Sequence, residues 1–381
     1  MTIIATPQLS EAESGAIERI EELHRKLRYQ VADTHRWSAP LRRQQVARAT
    51  RASSGIEGFH VTPDDALAVV EGRKSDNDSQ AQRAVESHAR AMTYILQRAR
   101  AGNATHSADL LLSLHFIMTD YDLIEAAAGQ WRQRPVVVRD EATGDVVYEG
   151  PDHREVPGLI DELLEAIDAD DNHHPLVRAA MAHFNLVMIH PWVDGNGRMS
   201  RALQTSVLAA RYTDRLAPEF VSIEEWLGTE VNTAAYYRTL GEVGGDRWRP
   251  DTVDAAPWVR FCLRAHYVQA QIVDRRIADV GILDAKVEAL VAERGAPGRS
   301  VSALTSAADG LIVTNATYRD WTEEAISAQV ATNDLGKLAD LGLLAKQGDK
   351  RGTQYVAGPA LAAIKAELRA ARPPIADDLF A

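Results

Sequence analysis

The stretch HPWVDGNGRMSR, residues 190–201, places a histidine, an aspartate, two glycines and two arginines within twelve residues. Two glycines this close together favour a loop over the interior of a helix. The preceding run, LVRAAMAHFNLVMIH, has apolar residues at helical spacing, and Pro191 stops that helix after His190. The sequence therefore predicts a buried helix, a loop, and a second helix that begins once the glycines have ended.

The residues of this loop suit the binding of a phosphate group. At the start of a helix, Gly195, Asn196 and Gly197 expose backbone N–H groups with little steric bulk, and the helix dipole favours an anion there. Arg198 and Arg201 add two permanent cations whose forked donors match phosphate oxygens. We therefore predict an anion site at the start of the second helix.

Two further residues point to chemistry on that phosphate. Asp194 would repel a bare phosphate, so it is better explained as a ligand of Mg²⁺ on a polyphosphate. His190 titrates near neutral pH and is suited to take a proton from an incoming hydroxyl. A lone His-Pro or Gly-Asn-Gly is usually only a turn, but the full set predicts attack of a hydroxyl on a nucleotide phosphate.

The rest of the chain is typical of a globular, mostly helical protein. Its 381 residues are 45% hydrophobic and 25% charged, and the net charge of -12 argues against a protein that mainly coats nucleic acid. The single cysteine, Cys262, excludes an intrachain disulfide and lies in an apolar run, where we expect a buried thiol. Neither a signal-peptide pattern nor an apolar run of about 18 residues is present, so we expect a cytoplasmic protein.

Two segments depart from the long helical patterns. In QRPVVVRDEATGDVVYEGP, β-branched runs flank Thr143-Gly144-Asp145, which predicts a hairpin. After residue 295, a short helix, a longer helix and a small hairpin follow one another, an order typical of a winged helix-turn-helix. The tail ARPPIADDLFA is Pro-rich and acidic, and we expect it to be flexible.

The stretch HPWVDGNGRMSR resembles the signature of Fic-family enzymes, His-Pro-Phe-x-(Asp/Glu)-Gly-Asn-Gly-Arg-x-x-Arg, with Trp192 in place of the phenylalanine. The resemblance implies a helical Fic core with a β-hairpin flap. It also implies transfer of AMP from ATP to a Ser, Thr or Tyr hydroxyl of a target protein. In that reaction His190 would be the general base and Asp194 would bind Mg²⁺.

The phosphate contacts implied by the resemblance fall on the remaining residues of the signature. The backbone of Gly195, Asn196 and Gly197 would form the anion hole for the α- and β-phosphates. Arg198 would contact a phosphate, and Arg201 would anchor the γ-phosphate. ATP is thus the expected co-substrate.

Other segments are similar to parts of the same family. The run GQWRQRPVVV (129–138) and the β run after it resemble the flap that aligns a target segment by strand addition. Tyr236 and Tyr237 are similar to a tyrosine pair that borders the adenine pocket, although adjacent tyrosines in a helix are as readily explained by packing. We interpret three histidines in apolar helical patterns as core or supporting residues and not as metal ligands: His88, His115 and His183.

A second motif precedes the signature, in SSGIEGFH, residues 53–60. From the residues alone, Gly58 is a candidate helix cap and Glu57 would be one more solvated carboxylate. The stretch resembles the family's inhibitory motif, (Ser/Thr)-x-x-x-Glu-(Gly/Asn), with Ser53, Glu57 and Gly58 at the defined positions. The resemblance implies an intramolecular N-terminal inhibitory helix in which Glu57 pairs with Arg201 and competes with the γ-phosphate.

The charge of the predicted winged helix gives little support to DNA binding. Residues 314–358 contain five basic and six acidic side chains, and the predicted recognition helix carries Lys337 as its one cation. Three cations cluster on the predicted wing, which keeps weak DNA binding open. Docking of a target protein and self-association into a homodimer fit the pattern as well.

Together these features predict three regions: an N-terminal helical module with the inhibitory motif (1–105), a Fic catalytic core (106–278), and a winged helix-turn-helix-like domain with a flexible tail (279–381). The favoured function is Mg²⁺- and ATP-dependent AMPylation of protein hydroxyls, with auto-modification, restrained by Glu57. Three alternatives stay open: a Fic enzyme that transfers another phospho-group, one that removes AMP, and a nucleotide-sensing transcriptional regulator that binds DNA.

Overall fold

The protein is seen in a computed structural model that describes residues 2–32, 35–73, 79–103, 105–122, 127–140, 143–169, 171–212 and 216–380. Within these residues the chain is mainly helical with short antiparallel hairpins, which confirms the predicted fold class. It divides into two compact units. The first comprises residues 1–29, 42–271 and 376–381, and the second comprises residues 30–41 and 272–375.

The first unit is built almost entirely from helices. In chain order these are α1 (Glu11–Gln30), most of α2 (Ser38–Ile56), α3 (Pro63–Val70), α4 (Gln80–Arg100), α5 (Ala108–Thr119), α6 (Val156–Asp168), α7 (Pro175–Ile189), α8 (Asn196–Arg211), α9 (Glu224–Leu227), α10 (Glu230–Gly244) and the first part of α11 (Ala256–Arg294). Between α5 and α6, strands β1 (Val137–Arg139) and β2 (Val146–Glu149) form the predicted hairpin.

Helices α7 and α8 pack against each other and hold the signature loop, residues 190–197, between them. Helix α7 opens with Pro175 and is buried over nearly its whole length, as its apolar pattern predicts. Helix α8 begins at Asn196, so its first turn includes Gly197, whereas we expected the helix to start after both glycines. The reason is that Gly195, with a φ of 80°, already supplies the left-handed turn that precedes the helix.

The second unit combines the end of α11 with α12 (Val301–Ala308), α13 (Asn315–Trp321), α14 (Ala328–Asp340), β3 (Leu344–Gln347), β4 (Gln354–Ala357) and α15 (Pro359–Ala370). Strands β3 and β4 pair antiparallel, and a single bridge joins Val313 to Tyr355. Its core is apolar and includes Leu304, Tyr318 and Leu335. The longer helix and the hairpin lie in the segments for which the sequence predicts them. The shorter helix was predicted from residue 322 onward but lies earlier, at Asn315–Trp321, where Thr314 caps its start. A DNA-binding winged helix stays a prediction.

The two units divide the chain differently from the three predicted regions. The predicted N-terminal module and Fic core fall mostly within the first unit. The predicted boundary after residue 278 lies inside α11, which is one continuous helix of 39 residues. Residues 376–381 of the tail belong to the first unit, in which Asp377 pairs with Arg264 and Asp378 pairs with Arg19 at 3.0 Å. The flexibility of the tail stays a prediction.

Two further predictions concern apolar surroundings. The thiol of Cys262 is buried in α11, and burial raises its pKa, as expected for a structural cysteine.

Across the described part of the chain, no helix is long and apolar enough to cross a bilayer.

Candidate active site

His190 follows α7 in a left-handed backbone conformation, with a φ of 52°. This conformation is uncommon for a residue with a side chain, and it turns the chain sharply out of the helix. Nδ1 of the ring lies 3.1 Å from the carbonyl oxygen of Val187. Because a carbonyl only accepts, Nδ1 carries the proton and the lone pair of Nε2 is left for a reacting group. Burial lowers the pKa of His190 to about 4, so the imidazole is neutral at neutral pH.

Arg132, which sequence reasoning misses, holds His190 in place. Its Nε donates to the carbonyl oxygen of His190 at 2.8 Å, and its Nη2 donates to that of Pro151 at 2.6 Å. Its backbone N–H donates to the carbonyl of Pro191 at 2.9 Å. Arg132 is only 3% exposed, so its guanidinium N–H groups bond these backbone carbonyls and are shielded from solvent. The one signal in the sequence is its place in GQWRQRPVVV, and nothing there connects it to His190.

The signature loop is closed by the side chain of Asn196. Its Oδ1 accepts from the N–H of Trp192 and its Nδ2 donates to the carbonyl of Trp192, both at 3.0 Å. The loop also approaches α5 closely, since a Cβ on Gly195 would lie 3.0 Å from Cγ2 of Thr119. The Asn196 side chain therefore shapes the loop, and its backbone N–H is what it offers to an anion.

His115 supports the same loop from α5. Its ring stacks on Trp192, with 4.6 Å between ring centroids and an interplanar angle of 4°. The N–H of Gly129 donates to Nδ1 at 2.9 Å, so Nε2 carries the proton and donates to the carbonyl of Asp194 at 3.0 Å. His115 and His190 thus have opposite tautomers. His115 uses its proton to hold the loop, whereas His190 presents a lone pair.

Asp194 and Arg198 form a local ion pair at the edge of the loop. Asp194 Oδ2 lies 3.1 Å from Arg198 Nη2, and the Asp194 side chain is 52% exposed. Arg198 is buried: its Nη1 donates to the hydroxyl of Tyr121 at 2.9 Å, and the ring of Phe59 lies against its guanidinium. The carboxylate is therefore open to solvent while the cation is fixed in the interior.

The donor set fits Mg²⁺ that arrives with a nucleotide. Within the residues that the structure describes, no three His, Cys, Asp or Glu side chains gather as a protein-only metal centre requires. Mg²⁺ usually takes one or two carboxylates, keeps several waters and completes its shell with phosphate oxygens. The half-exposed carboxylate of Asp194 meets that requirement.

Arg201 is almost fully buried and lies next to residues 53–58, which we call the inhibitory segment after the role that the sequence predicts for it. Its Nε donates to the Ser53 hydroxyl at 2.9 Å, and its Nη2 donates to the Ser53 carbonyl at 3.1 Å and to Glu57 Oε1 at 2.7 Å. Burial acts to lower the pKa of Arg201, but the Glu57 carboxylate outweighs this effect and the pKa is raised. Two motifs that lie far apart in the chain thus meet at one guanidinium.

Glu57 lies against the start of α8. A Cβ on Gly197 would lie 2.6 Å from Glu57 Oε1, closer than real Cβ contacts allow, and 3.2 Å from Arg201 Nη1. Nη1 itself has no hydrogen-bond partner among the described residues. Helix α2 ends at this point because Gly58 takes a φ of 82° and the Phe59 N–H turns back to the Ser54 carbonyl at 3.0 Å. The Glu57 carboxylate therefore lies against the first turn of α8, where the sequence predicts that an anion binds.

The part of the chain that holds the signature loop is similar to a known family. Residues 105–208 match the Fic/DOC family model. The matched segment runs from before α5 into α8, so it contains the signature loop and both arginines. The inhibitory segment lies outside the matched residues.

Individual known proteins extend this similarity. "Protein adenylyltransferase Fic" of Drosophila ananassae is 28% identical over 201 residues, which are 50% of this chain and 38% of that relative. A solved Fic family protein from Desulfovibrio desulfuricans G20 has a TM-score of 0.57 and 21% identity, covering 93% of this chain and 98% of its own. A Fic domain containing signaling protein from Bacteroides thetaiotaomicron VPI-5482 has a TM-score of 0.54 and 19% identity, covering 67% of this chain and 97% of its own. The two structures show a shared Fic fold, while the chain spans well under half of the Drosophila relative.

Over the described residues, the hairpin of the matched segment is held in place through β2. The hydroxyl of Tyr148 in β2 donates to the carbonyl of Met188 near the end of α7, at 2.6 Å. The backbone N–H of Glu149 donates to the Asp246 carbonyl at 2.9 Å, which ties the far edge of β2 to the chain after α10. Over the described ranges no strand pairs with the outer edge of β1. That edge is the one on which a further strand could add.

The two adjacent tyrosines of α10 have different environments. Tyr236 is 1% exposed, and its hydroxyl lies 3.0 Å from Nε2 of His183. Tyr237 is 49% exposed, and its hydroxyl donates to the Ile56 carbonyl across 3.5 Å, beside the inhibitory segment. The structure therefore favours packing for Tyr236, and an adenine contact stays a prediction for Tyr237. His183 is itself fully buried, and its Nδ1 lies 2.6 Å from Oε1 of Gln204, so it is a core residue.

Proposed function

We propose that this protein transfers AMP from Mg-ATP to a Ser, Thr or Tyr hydroxyl of a target protein, its own chain included, and that Glu57 holds it inactive. The observation that carries the proposal is the convergence of a neutral His190, the α8 N-terminus and two buried arginines around one loop. The name of the Drosophila relative, protein adenylyltransferase, supports the same reaction class.

In the proposed reaction the target hydroxyl oxygen attacks the α-phosphorus of ATP while Nε2 of His190 takes the hydroxyl proton. The new P–O bond forms as the bond from the α-phosphorus to the bridging oxygen breaks, and pyrophosphate leaves with that electron pair. The N–H groups at the start of α8 and the Arg198 guanidinium stabilise charge on the phosphate oxygens. Asp194 would hold Mg²⁺, which neutralises charge on the polyphosphate when bound.

Autoinhibition follows from competition for Arg201. Glu57 accepts from Nη2 and lies against Gly197, so a triphosphate can place its γ-phosphate there only by displacing the carboxylate. A hydrogen bond between charged groups is worth about 1.5–3 kcal/mol, which corresponds to a change in rate of about 10- to 100-fold. Removing the carboxylate would therefore allow ATP to bind with its α-phosphorus directed at His190.

The outer edge of β1 is the proposed docking position of the target. A target segment in extended conformation would add to this edge as a further strand, which aligns its hydroxyl by backbone hydrogen bonds. The hairpin is fixed to the end of α7 through Tyr148, so a strand added there has a set position relative to His190. Exposed Val137 on β1 would contribute apolar contact.

The test uses three purified proteins: wild type, Glu57→Gly, and Glu57→Gly with His190→Ala. Each is incubated with Mg-ATP and a cell lysate, and intact and peptide masses are searched for covalent AMP. We expect adducts with Glu57→Gly, few with wild type and none without His190. Absence of adducts from all three samples although ATP binds would overturn the transferase. Adducts that persist without His190 would overturn its role as the base.

A further inference from the structure

Phe59 directly follows the inhibitory segment and contacts Arg198, the other buried arginine near the start of α8. The guanidinium carbon of Arg198 lies over the Phe59 ring, 5.5 Å from the ring centroid. At this distance the positive charge of an arginine is attracted to the electron-rich face of an aromatic ring. Arg198 is 2% exposed, so the contact is shielded from water, which strengthens the attraction.

Arg198 is itself held in place by two hydrogen bonds. Its Nη1 donates to the Tyr121 hydroxyl at 2.9 Å, and its Nη2 donates to Asp194 Oδ2 at 3.1 Å. The Tyr121 ring also meets Phe59 nearly at right angles, with 6.3 Å between the ring centroids. Because both hydrogen bonds use the outer N–H groups of the guanidinium, Phe59 contacts a cation whose position is already fixed.

The backbone joins Phe59 to the end of α2 and therefore to Glu57. The Phe59 N–H donates to the Ser54 carbonyl at 3.0 Å, and the Glu57 N–H donates to the same carbonyl at 3.1 Å. Gly58 between them has a φ of 82°, so the chain turns sharply at this point. The Glu57 and Phe59 side chains thus reach two arginines that lie one helical turn apart on α8.

The contacts of Glu57 and Phe59 respond differently to a nucleotide. A triphosphate would displace Glu57, because both are anions that bind the same cation. Phe59 is uncharged, so this competition does not act on it directly. We propose that Phe59 anchors the inhibitory segment on Arg198. The anchor keeps Glu57 close to Arg201 and returns it there when the nucleotide leaves, an inference that rests on the proposed function.

The first test is independent of catalysis and measures hydrogen–deuterium exchange at the amides of Glu57 and Gly58. Each amide bonds an α2 carbonyl at 3.1 Å, and both bonds break when the segment opens. Phe59→Ala and Phe59→Leu should each raise this exchange by about three- to tenfold, because both remove the aromatic ring. Phe59→Tyr keeps the ring and should stay within about twofold of wild type. A Phe59→Leu protein that exchanges like wild type would overturn the anchor.

The second test is the initial rate of auto-AMPylation. With Glu57 in place, Phe59→Ala should raise this rate by about three- to tenfold, because the segment opens more often. In the Glu57→Gly protein the same change should give no further rise, since the restraint has already been removed. An equal rise in both proteins would overturn the inference, because it would show that Phe59 acts independently of Glu57. If Phe59→Ala fails to fold, Phe59→Leu decides both tests.

Tyr94→Leu is the matched control for both tests. The guanidinium carbon of Arg98 lies 5.8 Å from the centroid of the Tyr94 ring, so this change removes the same kind of contact within α4. Tyr94 is 41% exposed and belongs to neither the signature loop nor the inhibitory segment. It should change neither the exchange at Glu57 and Gly58 nor the rate.

The outcomes also separate this inference from the proposed function. If exchange rises as expected but none of the proteins forms an AMP adduct, the transferase proposal fails while the anchoring of the segment is supported. If Glu57→Gly forms adducts and Phe59→Ala leaves both exchange and rate unchanged, only the role of Phe59 is overturned.

Discussion

Arg198 and Arg201 lie one helical turn apart on α8, both are buried, and each is paired with a carboxylate, yet the two pairs are built differently. The partner of Arg198 is Asp194, four residues earlier in the same loop, with a side chain that is 52% exposed. The partner of Arg201 is Glu57, which comes from α2, 144 residues earlier in the chain.

This difference means that the Asp194–Arg198 pair is a fixed part of the loop, whereas the Glu57–Arg201 pair can open and close. The Asp194–Arg198 pair is contained in the signature loop, so it forms whenever the loop folds and leaves a carboxylate open to a cation. The Glu57–Arg201 pair joins two distant elements, so a movement at the end of α2 can break it without disturbing the loop. In the proposed function, regulation therefore acts on Arg201, the predicted γ-phosphate anchor, and leaves the Asp194–Arg198 pair unchanged.

The largest expected effect on the rate of AMP transfer involves neither of the two carboxylate–arginine pairs. His190→Ala in the Glu57→Gly protein should lower AMP transfer by about 10²- to 10⁴-fold, the usual contribution of a general base. The readout is the initial rate of labelled AMP incorporation. His173→Ala is the control, because that histidine is 42% exposed and pairs with Asp171. A loss of less than tenfold would mean that another group takes the proton.

Asp194→Asn tests the local pair. In the Glu57→Gly protein it should raise the Mg²⁺ concentration needed for half-maximal transfer by about tenfold or more, because a neutral amide is a weaker ligand for a hard cation. Initial rates over a Mg²⁺ titration give this value. It should not activate the protein that retains Glu57. An unchanged Mg²⁺ requirement would contradict the ligand role of Asp194.

Arg132→Lys tests how much positioning the base requires. An ammonium cannot reproduce the fork that reaches the carbonyls of His190 and Pro151 together, so we expect kcat to fall by about tenfold with KM for ATP nearly unchanged. Steady-state kinetics in the Glu57→Gly background measure both constants. Arg134→Lys, at an exposed position nearby, is the control. A rise in KM at constant kcat would instead place Arg132 in nucleotide binding.

The smallest expected effect is the response to pH. Burial lowers the pKa of His190 to about 4, and the base works in its neutral form. The rate of the Glu57→Gly protein should therefore change little from about pH 8 down to about pH 6, and should fall only as the pH approaches that pKa. Rates in buffers of constant ionic strength provide the profile. A halving of the rate at about pH 6.5 would show that His190 keeps an ordinary pKa.

The parts of the site that are contiguous in sequence were predictable. The loop between two helices, the general fold class, the hairpin and the cap at Gly58 each depend on residues close together in the chain. The start of α8 was predicted too late, because the turn at Gly195 already allows the helix to begin at Asn196. Local chemistry therefore specified most of the signature loop.

The supporting residues were not predictable because they come from other elements. Arg132 and Tyr121 reach the site through contacts with residues several tens of positions away in the chain, and no spacing rule connects them. The burial of the two tyrosines of α10 was not predictable from sequence for the same reason. Adjacent helix positions point in different directions, and only the packing around α10 decides that Tyr236 is buried and Tyr237 exposed.

The most direct measurement compares the initial rates of auto-AMPylation of wild type, Glu57→Gln and Asp194→Asn at saturating Mg-ATP. Glu57→Gln keeps the shape of the side chain and removes its charge, so it should be faster than wild type by about tenfold or more. Asp194→Asn removes the charge of the local pair and should be slower than wild type. A Glu57→Gln protein that is folded, binds Mg-ATP and is no faster than wild type would contradict restraint by the Glu57–Arg201 pair.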